Sequence, residues 1–134
     1  MIYLLDTNTC VEYLRSRNQA VISRLKQEPA RNICMCTVVL AELLYGAKRS
    51  ADPTRNTATA EAFAARFQSL SFDGNAAQVY ADVRADLDAK GTPIGPNDLL
   101  IAAIALANQL TLVTHNTAEF SRVSGLALED WQGP

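Results

Sequence analysis

The chain opens on an uninterrupted apolar run, MIYLL at 1–5, that stops at Asp6. The pattern predicts a short strand buried on both faces, followed by a helix that Asp6 or Thr7 caps. Apolar Val21, Ile22 and Leu25 recur at helical spacing over about 18–28, and Pro29 with the polar Arg31-Asn32 ends that segment. A second buried strand is predicted at 33–36, then a helix from a cap at Thr37 through TVVLAELLYGAKRS to the basic pair Lys48-Arg49. Asp52-Pro53 starts two alanine-rich amphipathic segments, about 54–69 with Phe63, Phe67 and Leu70, and 75–89 with Val79, Val83 and Leu87. Between them 70–72 reads as an edge strand. The glycine- and proline-rich GTPIGPND at 91–98 is a loop that delivers Asp98 to the foot of an apolar helix over 99–107. A strand at 111–114, a short helix near 117–122 and a final strand at 126–128 complete the series. Strands alternating with helices predict an α/β fold with a mainly parallel sheet of four or five strands.

A chain of 134 residues, 49% hydrophobic and 19% charged, makes one domain over 1–134, large enough to fold without disulfides or structural metal. Three cysteines, Cys10, Cys34 and Cys36, in apolar surroundings and the absence of a signal segment point to a reducing cytoplasm. The apolar run 99–107 is far short of the roughly 20 residues that span a bilayer, so no membrane role is expected. One histidine, His115, and no cysteine quartet disfavour zinc; no phosphate-binding glycine loop or serine elbow is present. The net charge of −2 excludes a protein that coats nucleic acid by charge alone, but it divides into +3 over 1–67 and −5 over 68–134.

Three carboxylates carry the chemistry. Asp6 leaves the first strand, where it is either a helix cap or a ligand, and Asp98 stands at a helix start, where the dipole favours it in any case. Glu42 has apolar neighbours on both sides from Val38 to Tyr45, and a lone carboxylate in a buried helix costs several kcal/mol unless a basic partner or a cation compensates it. In open parallel sheets ligands bind beyond the carboxyl ends of the strands. A pocket of Asp6, Glu42 and Asp98 is all oxygen, suited to Mg²⁺ or Mn²⁺, which take up phosphate oxygens. Metal-assisted phosphodiester hydrolysis follows as the expected reaction. Beyond the strand at 111–114, Asn116 is placed to hydrogen-bond a metal-bound water, Glu119 to add a carboxylate and His115 to shuttle protons. Each also suits an ordinary strand-to-helix turn.

The motifs LLDTN (4–8), AELLYGA (41–47), GTPIGPNDLLIAA (91–103), VTHNTAEF (113–120) and a closing EDW (129–131) together resemble PIN-domain ribonucleases. Within these the chain is similar to the VapC toxins of bacterial type II toxin–antitoxin systems, nearest the enteric-type members that cut initiator tRNA in the anticodon loop. The resemblance implies a three-layer α/β/α sandwich, with Asp6, Glu42 and Asp98 as Mg²⁺-binding acids and Asn8, Asn97 and Thr114 as supporting polar groups. Many such nucleases carry a fourth acid at the position of Asn116. It also implies a VapB-type antitoxin whose C-terminal segment wraps the toxin and sets a basic side chain among the acids, contact with operator DNA only through that antitoxin, and a homodimer. Tyr45, Phe63 and Phe67 are candidates for the antitoxin groove or dimer face, and Arg15, Arg17, Lys48, Arg49 and Arg55 for phosphate contacts. Two alternatives stand beside this reading. An aspartate phosphotransferase would use Asp6, although a carboxylate is wanted where Asn8 stands; a non-catalytic binding domain would leave Glu42 without a reason.

Overall fold

A computed structural model describes residues 1–133. The elements are β1 (Tyr3–Leu5), α1 (Thr7–Leu14), α2 (Gln19–Gln27), β2 (Ile33–Cys36), α3 (Thr37–Lys48), α4 (Pro53–Ala64), β3 (Gln68–Leu70), α5 (Gly74–Lys90), α6 (Pro96–Ala107), β4 (Thr111–Val113), α7 (Thr117–Phe120) and β5 (Leu128–Glu129). The five strands pair in the order β3-β2-β1-β4-β5, every pair parallel. Parallel sheets are covered by helices on both faces, so their strands read as continuous apolar runs. Leu4, Leu5, Cys34, Cys36, Leu112 and Val113 accordingly have no exposed surface. The layered α/β architecture and five-stranded parallel sheet agree with the sequence.

The strand order is what places the site. From β1 the chain winds one way to β2 and β3, and then returns to β1's other side for β4 and β5. The winding therefore reverses between β1 and β4, and the crevice at the carboxyl ends of these two strands is where an open α/β sheet binds ligands. Leu5 is in register with Val113, so Asp6 and Thr114 emerge there side by side.

Local chemistry sets the helix starts. Asp6, Asn18, Asp52 and Asp73 each accept the backbone N–H three residues on, capping α1, α2, α4 and α5. The helices that carry Glu42 and Asp98 have no side-chain cap: α3 follows Cys36, and α6 follows Gly95 with Pro96 at its first position. Thr37 is thus inside α3 rather than its cap. α6 begins at Pro96, ahead of the apolar run, because proline's missing N–H and fixed φ suit a first helical position; Asp98 then lies in the first turn. Other boundaries also differ from the sequence pattern. β1 starts at Tyr3, with Met1 and Ile2 exposed; α4 ends at Ala64, leaving Phe67 and Leu70 beyond it. The edge strand comes at Gln68–Leu70, in register with Cys34–Cys36, and β5 at Leu128–Glu129, opposite Leu112 and Val113. Short edge strands are set by pairing to their neighbour more than by their own apolar content.

The C-terminal EDW closes the sheet edge. Trp131, nearly buried, meets Tyr3 edge to face at 5.1 Å, and the Arg24 guanidinium lies 4.8 Å from the Trp131 ring. Arg24 also donates to the Tyr3 hydroxyl (3.1 Å) and to Glu129 (3.2 Å), whose same oxygen accepts the Trp131 indole N–H (3.0 Å). Arg24→Ala is expected to lower stability by about 1–2 kcal/mol, measured by urea unfolding, because it removes a ring-stacked cation and three hydrogen bonds at once, the third to Glu28 at 3.3 Å. A loss below about 0.3 kcal/mol would show the clasp to be energetically idle.

Candidate functional site

Asp6, Glu42 and Asp98 come together as predicted. With Thr7, Asn8, Val11, Asn116 and Phe120 they line one cavity of about 370 Å³ at the carboxyl ends of β1 and β4. Asp6 is 6% exposed; its Oδ1 accepts the Thr9 N–H at 2.8 Å, capping α1, and the same side chain lines the cavity. Burial raises its pKa, opposed by hydrogen bonds from Thr114 and Thr9, with the Glu42 charge a smaller term in the raising direction. Thr114, fully buried, accepts the Asn116 N–H at 3.0 Å.

Glu42 is only half-buried, because α3 turns Ala41, Tyr45 and Gly46 to solvent rather than lying buried all round. It has no basic partner: among the described residues no Lys, Arg or His pairs with Asp6, Glu42 or Asp98. Thr7, the first residue of α1, instead donates to Glu42 Oε1 at 2.6 Å. That contact spans 35 residues, and its only trace in sequence is a hydroxyl next to Asp6.

Asp98 is half-buried, and its pKa is pushed up to about 6, first by burial and then by the charges of Glu119, Glu42 and Asp6. Glu119, in contrast, is lowered, chiefly because its Oε1 accepts the Gly95 N–H at 2.8 Å. Its Oε2 accepts the Asn116 side-chain amide at 2.8 Å. Asn116 is exposed at the cavity rim, with its Oδ1 free of that bond. His115 stands apart, exposed and paired with Asp130 at 2.9 Å; Asn97 is exposed and outside the cavity lining, whereas Asn8 belongs to it.

Whether these residues suit a cation follows from the donor set. Carboxylates without basic partners around one polar cavity, two of them, Asp6 and Asp98, with raised pKa, are the electrostatic complement of a divalent ion, and every donor is a hard oxygen. Among the described residues no three His, Cys, Asp or Glu side chains stand in position to ligate one ion directly. Hard oxygen donors of this kind suit Mg²⁺, which usually keeps several of its waters. A methyl group built on Gly95 would sit 3.4 Å from Asp98 Oδ2 and 3.7 Å from Glu119 Oε1, so the Gly95 backbone lies directly against the acid cluster.

A second hollow, about 170 Å³, runs from Glu42 and Val11 between α1, α3 and α4, with Leu14, Leu43, Ala47 and Ala60 as its apolar floor and Arg15, Ser50 and Asn56 among its polar lining. Of the candidates for such a groove, Phe63 and Phe67 are core residues, 4% and 8% exposed, and only Tyr45 is free, at 62% with Arg49 stacked 5.4 Å from its ring. The three cysteines are free and buried, and burial raises the pKa of each. None of the described helices is long and apolar enough to cross a membrane.

A cavity of carboxylates at the reversal point of a five-stranded parallel sheet defines the class, and comparison with known proteins agrees with it. The model of the PIN domain matches residues 3–126, and the chain belongs to the PIN-domain family. It is 40% identical over 129 residues to the tRNA(fMet)-specific endonuclease VapC of Salmonella typhimurium, covering 96% of this chain and 97% of that protein. It is 39% identical to ribonuclease VapC2 of Rickettsia felis over 132 residues, 98% of each chain. Its structure superposes on a chain of the DNA-bound VapBC complex of Salmonella typhimurium with a TM-score of 0.92 at 39% identity, covering 98% of both.

Proposed function

We propose that this protein is the toxin of a VapBC-type toxin–antitoxin pair: a Mg²⁺-dependent endoribonuclease that cuts initiator tRNA in the anticodon loop and so inhibits translation in the cytoplasm. The observation that carries the reading is the set of unpaired acids Asp6, Glu42 and Asp98 on one cavity at the sheet's reversal point. The full-length relatives named as ribonucleases and, in one case, as specific for tRNA(fMet) support the substrate class.

In this reading Asp6, Glu42 and Asp98 hold Mg²⁺, with Mn²⁺ a substitute. The ion supplies a lowered pKa for bound water and neutralises charge developing on the phosphate. Thr7 fixes the Glu42 carboxylate, and the Thr9 N–H and Thr114 fix Asp6, so that acids which repel one another keep their places. Asn116 Oδ1 accepts a hydrogen bond from the attacking water and orients it. The water oxygen bonds to phosphorus as the bond to the leaving ribose oxygen breaks, and a water proton ends on that oxygen. The exposed Arg15, Arg17, Lys48, Arg49 and Arg55 contact RNA phosphates. The groove between α1, α3 and α4 receives the C-terminal segment of a VapB-type antitoxin, apolar side chains on its floor and a basic one against Glu42. Contact with operator DNA is through the antitoxin, and the toxin is a homodimer.

Purified protein with initiator tRNA and millimolar Mg²⁺ is expected to give two fragments whose ends map to the anticodon loop. Chelation by EDTA should stop the reaction, and Mn²⁺ should restore it. Intact tRNA under all these conditions, or a phosphoryl group trapped on Asp6, would overturn the reading.

A further inference from the structure

The residues after β4 form a chain of hydrogen bonds that starts beside one proposed metal-binding acid and ends beside another. Thr114, which emerges next to Asp6, accepts the Asn116 N–H; the Asn116 side chain donates to Glu119; Glu119 accepts the N–H of Gly95, whose α-carbon lies against Asp98. A second tie lies alongside, for Arg122 donates to the Pro93 carbonyl at 3.0 Å. The 91–95 loop is therefore held to α7 and the residues just after it at two points, immediately before the helix turn that carries Asp98. That turn has no side-chain cap of its own, and Gly95, the residue before it, has no side chain to fix it. The Gly95 carbonyl starts α6 by accepting the Leu99 N–H at 2.9 Å, so whatever fixes Gly95 fixes the direction in which α6 departs.

We propose that Glu119 is a positioning residue, a latch that orients the first turn of α6 and hence Asp98, and that it acts on the cation only through Asp98. Both of its carboxylate oxygens are already engaged, by Gly95 and by Asn116, which distinguishes it from the acids that face the cavity with lone pairs to spare. The inference rests on the metal-dependent nuclease reading, but its geometric half does not need the metal.

Two variants separate the roles. Glu119→Gln keeps an oxygen acceptor for the Gly95 N–H and, with the Asn116 amide turned over, a bond to Asn116, but lacks the charge a ligand needs. Glu119→Ala keeps neither. Hydrogen exchange at the Gly95 amide of metal-free protein is expected to stay near wild type in Glu119→Gln and to accelerate about 10-fold or more in Glu119→Ala. The Mg²⁺ concentration giving half-maximal cleavage should lie within about 3-fold of wild type for Glu119→Gln and rise about 10- to 100-fold for Glu119→Ala, with kcat largely recovered at saturating Mg²⁺. A Glu119→Gln protein with a protected Gly95 amide and a Mg²⁺ requirement raised as far as in Glu119→Ala would make Glu119 a direct ligand and overturn the proposal. Unchanged Gly95 exchange in Glu119→Ala would overturn it as well, whatever the activity. If wild-type protein cleaves no RNA with any metal, the nuclease reading fails, while the exchange comparison still decides whether the latch exists.

Discussion

Asp98→Asn is expected to reduce RNA cleavage by about 1,000-fold or more and, in metal-free protein at pH 7.5, to raise the melting temperature by about 3–5 °C. The two effects have one cause. In the folded protein the Asp98 pKa is about 6 against an ordinary 3.8, so at neutral pH the fold holds a carboxylate that its surroundings disfavour. The sign follows: a group whose pKa is raised on folding binds protons more tightly in the native state, so its contribution falls as pH rises from 3.8 through about 6. The full difference would be about 3 kcal/mol, and solvent screening of this half-exposed side chain reduces it to about 1 kcal/mol. Asparagine escapes that penalty, and its amide can donate to Glu119 as the protonated acid does, so the fold is kept. Mg²⁺ should reverse the order, raising the melting temperature of wild type and not of the variant. Differential scanning calorimetry with and without 10 mM Mg²⁺, beside a cleavage assay, checks both parts. Equal cleavage by variant and wild type would remove Asp98 from the metal site.

The acids were legible in the sequence for the same reason that the variant should be more stable: a carboxylate at a strand exit or among apolar residues is expensive, and the expense is visible without a structure. Asp6 shows how far that logic reaches, since the side chain whose Oδ1 caps α1 through the Thr9 N–H also lines the cavity, so capping does not take it away from the site. Glu42 shows its limit. The apolar run around it suggests a helix buried on every side, yet α3 exposes Ala41, Tyr45 and Gly46, and the residue that steadies Glu42 is Thr7, on another helix. Periodicity fixes which face of a helix is apolar, but not which distant hydroxyl meets a given oxygen. The sheet itself was legible because its central strands are buried on both faces and read as apolar runs. Its edges were legible as strands but not in their bounds: Gln68 and Ser69 pair with Cys34 and Met35 through backbone groups that any residue supplies. The Asn116–Glu119–Gly95 linkage was hidden for a related reason, because its acceptor is paired with a backbone N–H 24 residues away.

Gly46→Leu should separate cleavage from neutralisation. Gly46 lies inside α3 and lines the groove beside Glu42, yet a methyl group built there meets nothing within 4 Å, so no contact within the chain requires glycine. Glycine in a helix interior costs roughly 0.5–1 kcal/mol relative to alanine, and leucine is nearly as good a helix former. The variant is therefore expected to be more stable than wild type by about 0.5–1 kcal/mol. The same open space is what a partner's backbone would need in order to lie close to α3, and a leucine side chain would occupy a large part of a hollow of about 170 Å³. Antitoxin affinity is expected to fall about 100-fold, by calorimetric titration, because a filled groove excludes the segment instead of merely losing one contact with it. RNA cleavage should remain within about 3-fold of wild type, since Gly46 is outside the cavity lined by Asp6, Glu42 and Asp98. A stabilised variant that the antitoxin still binds and silences at wild-type affinity would move the docking site to another face. A variant that binds antitoxin normally but no longer cuts RNA would instead make this groove the path of the nucleic acid.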